Sequence, residues 1–156
     1  MIAVDLKSLL ATVASEILEE SAFLFLEPLE GDAPAWPSGL LVADLPLHHP
    51  EETTLRVAVA PEVGSRLAEE ILGQASPGED GKKRALDALA EVANMTGGLF
   101  LERFLGPDED WELGLPEVRS MEKGEYLEES KRSVSRVLLS DEEGSLVEVS
   151  LFTRME

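Results

Sequence analysis

Lys82-Lys-Arg-Ala-Leu-Asp-Ala-Leu-Ala-Glu-Val-Ala-Asn-Met-Thr-Gly-Gly98 is the stretch whose reading decides the fold. Wound at about 100° per residue, it gathers Leu86, Leu89, Val92, Ala93, Leu99 and Phe100 onto one apolar stripe. Asp87, Glu91 and Asn94, at i, i+4 and i+7, fall within about 60° of one another on the opposite side. Ala88, Ala90 and Met95 flank them with small or adaptable side chains. Two carboxylates on an outward helix face ordinarily do no more than meet water. Asparagine is a mediocre helix former, so its place in mid-helix invites a functional explanation.

Outward from this helix, the chain reads as one domain. Its 156 residues suffice for a sizeable core, and a hydrophobic fraction of 44% marks it as globular. There is no cysteine, which excludes a disulfide framework, a thiolate metal site and a thiol nucleophile. The formal net charge of -19 argues against nucleic acid, whose phosphates need clustered Lys and Arg, and equally against anionic membranes. The apolar runs are too short to span a bilayer, and the N-terminus lacks the basic region and cleavage site of a signal peptide. A cytoplasmic location is the expectation.

Residues 4–20 carry Leu6, Leu9, Leu10, Val13 and Ile17 at helical spacing, with Asp5 placed to cap. Residues 22–29 read as a strand closed by Pro28, and residues 31–38, with Pro34, Trp36 and Pro37, as a loop. Strands are expected at 39–45 and 53–60, separated by the loop His48-His49-Pro50. Adjacent histidines point apart on a strand and no third exists, so they read as surface residues rather than metal ligands. Pro61 opens a second helix that buries Val63, Leu67, Ile71 and Leu72 and stops at Gly73. A Ser/Pro/Gly/Asp linker, 74–81, leads to the central helix, which runs on past Gly97-Gly98 to Phe104.

The two glycines mark either a weak point or a place of close approach. Beyond Gly106-Pro107, Trp111-Glu-Leu-Gly-Leu-Pro116 reads as a strand ended by proline, and the polar, acidic 117–130 as a loop. Residues 133–140 and 145–153, joined by Asp141-Glu-Glu-Gly144, make a hairpin. The expected class is α+β: an antiparallel or mixed sheet with long helices packed on one face.

Phosphate-binding glycine loops, nucleophile elbows, zincin and calcium-loop motifs are missing, and Ser/His/Asp catalysis has no support. Asp87 and Glu91 alone would make only a weak, open Mg²⁺ site. The spacing Asp87-x3-Glu91-x2-Asn94 followed by Gly97-Gly98, with Leu115-Pro116 further on, resembles the signature of the CheC/CheX/FliY family of chemotaxis phosphatases. The order of elements is similar to that family's domain over nearly the full length, and the single motif makes the chain look more like CheX than like two-motif CheC.

The resemblance implies a phosphatase acting on the aspartyl phosphate of a CheY-type response regulator. Asn94 would orient the attacking water and Glu91 would pair with the receiver's active-site lysine. Asp87 would be a docking contact or a simple surface charge. It also implies no cofactor in this chain, Mg²⁺ being carried by the receiver, and a homodimer. A non-catalytic adaptor docking a receiver or another signalling partner with the same residues stands as the alternative.

Overall fold

The computed structural model describes residues 5–30, 36–48 and 52–153. Helix α1, Leu6–Ala22, is capped by Asp5, whose carboxylate accepts from the Lys7 and Ser8 N–H groups. Strand β1, Glu27–Pro28, is followed by β2, Gly39–Leu47, and β3, Thr53–Val59. Helix α2, Pro61–Leu67, starts on its proline and continues as one π-helical stretch, Ala68–Leu72, ending at Gly73. The long helix α3, Gly81–Leu105, comes next. Strand β4, Glu117–Glu122, helix α4, Lys123–Ser130, and the hairpin of β5, Ser135–Ser140, and β6, Leu146–Thr153, complete the chain.

The strands form one sheet in the order β1-β5-β6-β3-β2-β4, antiparallel at every pairing. Strand alternation sends Leu41, Ala43 and Leu45 of β2 to one face and Leu40, Val42 and Asp44 to the other. The first face meets α1, α2 and α3 in the main core, with Leu10, Leu18, Leu55, Leu89 and Val149 fully or almost fully buried. The expected α+β architecture is therefore what the chain adopts.

Three expectations are corrected. The segment 22–29 is not a continuous strand. Phe23 takes a left-handed conformation, φ 55°, that closes α1, and only Glu27 and Pro28 pair with β5. The in–out alternation is real, with Leu24 and Leu26 buried and Phe23 and Phe25 exposed, but it runs past the sheet edge, where little ladder is available. The segment 111–116 makes a single bridge, Leu113 to Leu47, and Pro116 precedes a strand instead of ending one. The stretch 117–130, expected as a loop, supplies both β4 and α4.

Helix α4 lies on the sheet face opposite the other three helices. Tyr126 joins Trp36, Leu40, Val42, Ala58, Met121 and Leu146 in a second, smaller cluster, with the Trp36 and Tyr126 rings edge-on at 5.8 Å. Beside it is a buried ionic network, in which Arg56 Nη1, alone of that residue's guanidinium nitrogens, has no hydrogen-bond partner. The Arg56 side chain, 1% exposed, donates through Nε to Asp44 at 2.7 Å and through Nη2 to Asp44 at 3.0 Å and Glu129 at 2.8 Å. Arg119 donates to the same Asp44 at 2.9 Å, and the Arg56 guanidinium stands 4.9 Å from the Phe152 ring centroid. Burial pulls the Arg56 pKa down, but the hydrogen bonds and charges of Asp44 and Glu129 outweigh it and hold the guanidinium above its ordinary value. The Tyr126 hydroxyl donates to Glu148, and burial together with that carboxylate pushes the phenol above its usual range.

Candidate functional site

A helix of 25 residues is about 37 Å long, so α3 spans the domain and is a rigid carrier for what it displays. Its Asp80 cap accepts from the Lys82 N–H, and Gly106 ends it. Along the inward side run Ala85, Ala88, Leu89, Val92, Ala93, Thr96, Gly97, Phe100 and Leu101. Most of these side chains are small, which lets the helix axis approach the sheet. At Gly97 the approach is closest. A Cβ there would overlap the Leu45 side chain and lie 3.5 Å from both Leu47 and Leu113. The glycine pair thus marks, at Gly97, a seat for the helix on β2. Ala88, expected to flank the outward surface, is 0% exposed and belongs to this seat as well.

Asp87, Glu91 and Asn94 follow one another along the outward side, Asp87 and Glu91 exposed and Asn94 half-buried. The three residues are on one face, as the spacing requires. They are not equivalent. Asp87 accepts a hydrogen bond from Lys83 Nζ at 2.9 Å, one turn back, and this contact raises the lysine pKa. Its charge is partly answered within the chain. Among the described residues, no hydrogen bond or ion pair engages the side chains of Glu91 or Asn94. A carboxylate that accepts from a cationic donor and an amide that both donates and accepts are thereby held, unspent, on a stiff support.

The next outward position is Gly98, one turn past Asn94, and here the segment 111–115 closes on the helix. The Trp111 ring tip would be 3.9 Å from a Gly98 Cβ, and the Leu113 side chain 4.0 Å. The segment is tied to the end of β2 by the His48 N–H donating to the Glu112 carbonyl at 3.0 Å and the Gly114 N–H donating to the Pro46 carbonyl at 2.8 Å. Gly114 is required there, because a Cβ would stand 2.8 Å from the Pro46 ring. Trp111 at the site's margin was not singled out by sequence reasoning. An aromatic residue two positions from Leu113 in an extended run was the available signal.

His48 is exposed, as expected of a loop histidine, and His49 lies outside the described residues. Among the described residues no three His, Asp or Glu side chains are grouped to hold a metal ion, and no helix is long and apolar enough to cross a membrane.

No family model matches the sequence, and no curated protein matches it. Solved structures do match. The chain is similar to one in the CheX–CheY–BeF₃–Mg²⁺ complex from Borrelia burgdorferi, with 19% identity and a TM-score of 0.68 over 98% of this chain and 100% of that one. It is similar to CheX from Desulfovibrio desulfuricans, with 13% identity and a TM-score of 0.70 over 97% of this chain and 100% of that one. FliY from Thermotoga maritima matches at 11% identity with a TM-score of 0.57, over 98% of this chain and 92% of that one. The fold is the one that CheX, CheC-like and FliY structures share.

Proposed function

We propose that this chain is a CheX-type phosphatase that hydrolyses the aspartyl phosphate of a CheY-type response regulator in chemotaxis or a related two-component pathway. The observation that carries the reading is the unengaged pair Glu91 and Asn94 on one outward face of α3, within a fold shared with CheX. Groups that must enter another protein's pocket have to leave their own surface free.

Hydrolysis of an acyl phosphate asks little covalent chemistry of a catalyst. A water must be held in line with phosphorus, opposite the leaving aspartate oxygen, while charge on the equatorial oxygens is stabilised. Asn94 can accept a hydrogen bond from that water through Oδ1 without titrating, which fixes the direction of its lone pair. The water then attacks phosphorus, and the P–O bond to the acyl oxygen breaks with its electron pair left on the receiver's aspartate carboxylate. The phosphoryl group leaves as inorganic phosphate bearing the water's oxygen, one of the water's protons staying on it and the other passing to solvent. Glu91 accepts from the receiver's active-site lysine in a charge-assisted hydrogen bond that sets the register of the two proteins. Asp87, already bonded to Lys83, contributes at the margin of the docking surface. Mg²⁺ belongs to the receiver in this scheme, and the chain itself needs no cofactor. Two copies of the chain associate as a homodimer, which sedimentation at micromolar concentration tests.

The deciding experiment follows the decay of a phosphorylated CheY-type receiver with and without the protein. The wild type accelerates decay, and Asn94→Ala lowers the acceleration by roughly 10²-fold or more while receiver binding persists. Binding by the wild type without acceleration would replace the phosphatase with an adaptor. Unchanged acceleration in Asn94→Ala would remove the water-positioning role.

A further inference from the structure

The turn that closes α1 carries a phenylalanine where a helix ordinarily ends on glycine. The Phe23 N–H donates to the Glu19 carbonyl and the Leu24 N–H to the Leu18 carbonyl, both at 3.2 Å, a pattern that needs a left-handed residue at 23. Phe23 meets the need at φ 55°, a conformation that disfavours a bulky side chain. Burial does not offset the strain, because the residue is 62% exposed. Phe25, 64% exposed, lines the same open groove of about 630 Å³, together with Leu29. The opposite wall is the β5–β6 turn, residues 140–143. Arg66 ties the walls together, donating to the Phe23 carbonyl at 3.3 Å and lying 3.7 Å from both Asp141 and Glu143. Asp141 is engaged in its own turn, where it accepts from the Glu143 and Ser145 N–H groups. Glu27 and Glu142 line the groove too, and among the described residues no hydrogen bond or ion pair engages their side chains.

We propose that this groove docks a second partner, a short segment of a basic protein that presents an apolar or aromatic side chain between lysine or arginine residues. Two exposed rings on an ordered backbone are the kind of anchor in which interfaces concentrate their energy. A ring required by a partner accounts for a phenylalanine kept where glycine would relax the turn. The lining sets four carboxylates against the one guanidinium of Arg66, which favours cations at the rim. The same charge disfavours a second copy of this chain, whose net charge is -19. Strand β1 has only two paired residues, one of them Pro28, so the segment docks by side chains and not as an added strand. Neither Glu91 nor Asn94 lines the groove. It lies at the β1 rim, whereas α3 seats on β2, four strand steps and about 19 Å across the sheet. Occupancy here is thus independent of the phosphatase reading.

The test uses the full chain and three fluorescein-labelled peptides, read by anisotropy at physiological salt. They are Lys-Arg-Phe-Leu-Arg-Lys, the same peptide with Ser-Ser at its centre, and the acidic Glu-Asp-Phe-Leu-Asp-Glu. The first binds about tenfold or more tighter than either control. Phe25→Ser, at an exposed side chain, weakens it about tenfold, and Glu27→Gln with Glu142→Gln weakens it several-fold. Phe23→Gly weakens it about tenfold while raising Tm, because glycine relaxes the left-handed turn. Equal affinity for the three peptides, or wild-type affinity in both Phe25→Ser and Phe23→Gly, would overturn the proposal. Conversion of a dimer to monomer by Phe25→Ser, seen in sedimentation, would assign the groove to a second copy and overturn it as well. So would slower receiver dephosphorylation by Phe25→Ser, which would make the groove part of the receiver site. A wild type that does not accelerate receiver decay sinks the phosphatase reading and leaves the groove judged on peptide affinity.

Discussion

On the α4 side of the sheet the buried charges are engaged with one another or with a hydroxyl. Arg56 is shared between Asp44 and Glu129, Arg119 falls to Asp44, and Glu148 accepts from Tyr126. On the α3 side the arrangement is reversed, with Asp87 lightly tied to Lys83 and Glu91 and Asn94 tied to nothing within the described chain. Both regions are polar, but the capacity left over differs in place: on the α4 side it is buried, at Arg56 Nη1 and the Ser150 hydroxyl, and on the α3 side it faces outward. The contrast separates two uses of the same residue types. Internal pairing orients α4 on the sheet, and idle groups on a stiff helix remain available to a partner.

The comparison breaks most visibly at Arg56. Arg56→Ala leaves Asp44, with 13% of its side chain exposed, to depend on Arg119 alone. It should lower stability by about 3–5 kcal/mol, measured by urea unfolding. Arg56→Met combined with Asp44→Leu removes both sides of the pair and should recover most of that loss. A small effect for Arg56→Ala would mean that the network is solvated and does not hold α4.

A smaller effect is expected beneath the site. Gly97→Val forces a side chain against Leu45 and should cost about 1–3 kcal/mol, with receiver dephosphorylation falling further than the loss of folded protein explains. Full activity at full stability would show that α3 does not need its seat. The smallest effect is a pH dependence from the α4 side. The chain has one tyrosine, and Tyr126 has its phenol held above the ordinary value near 10 while folded. Its contribution is fully present below about pH 10 and is lost as pH rises further, by no more than about 1.4 kcal/mol per pH unit. Tyr126→Phe should flatten that alkaline loss, and phenolate absorbance should appear only on unfolding. Phenolate forming in the folded protein near pH 10 would show the hydroxyl to be free of Glu148.

Much of this was legible in the sequence because it depends on local periodicity. The 3.6 spacing of α1 and α3, the proline and glycine bounding the second helix, and the β5–β6 hairpin follow from neighbours in the chain. So does the outward line Asp87, Glu91, Asn94, which any helix would create. What escaped is held by distant residues. Strand β4 and helix α4 look like polar loop because their partners are far along the chain, Arg119 with Asp44 and Glu129 with Arg56. Ala88 looks like part of a low outward surface until the closeness of α3 to the sheet demands small residues beneath it. The roles of Glu91 and Asn94 rest on resemblance and on their unspent bonding capacity, and the decay assay judges them.

The sheet's two rims are finished differently, and this bears on which neighbours the protein can tolerate. At the β1 rim the ladder is two residues long and one of them is Pro28, which has no N–H to offer. At the other rim β4 runs for six paired residues beside β2. A stray strand approaching the first rim finds almost nothing to hydrogen-bond, so end-to-end growth into fibres is stopped there whatever happens at the second. Joining through sheet rims alone would then proceed one way only, and would terminate at two molecules.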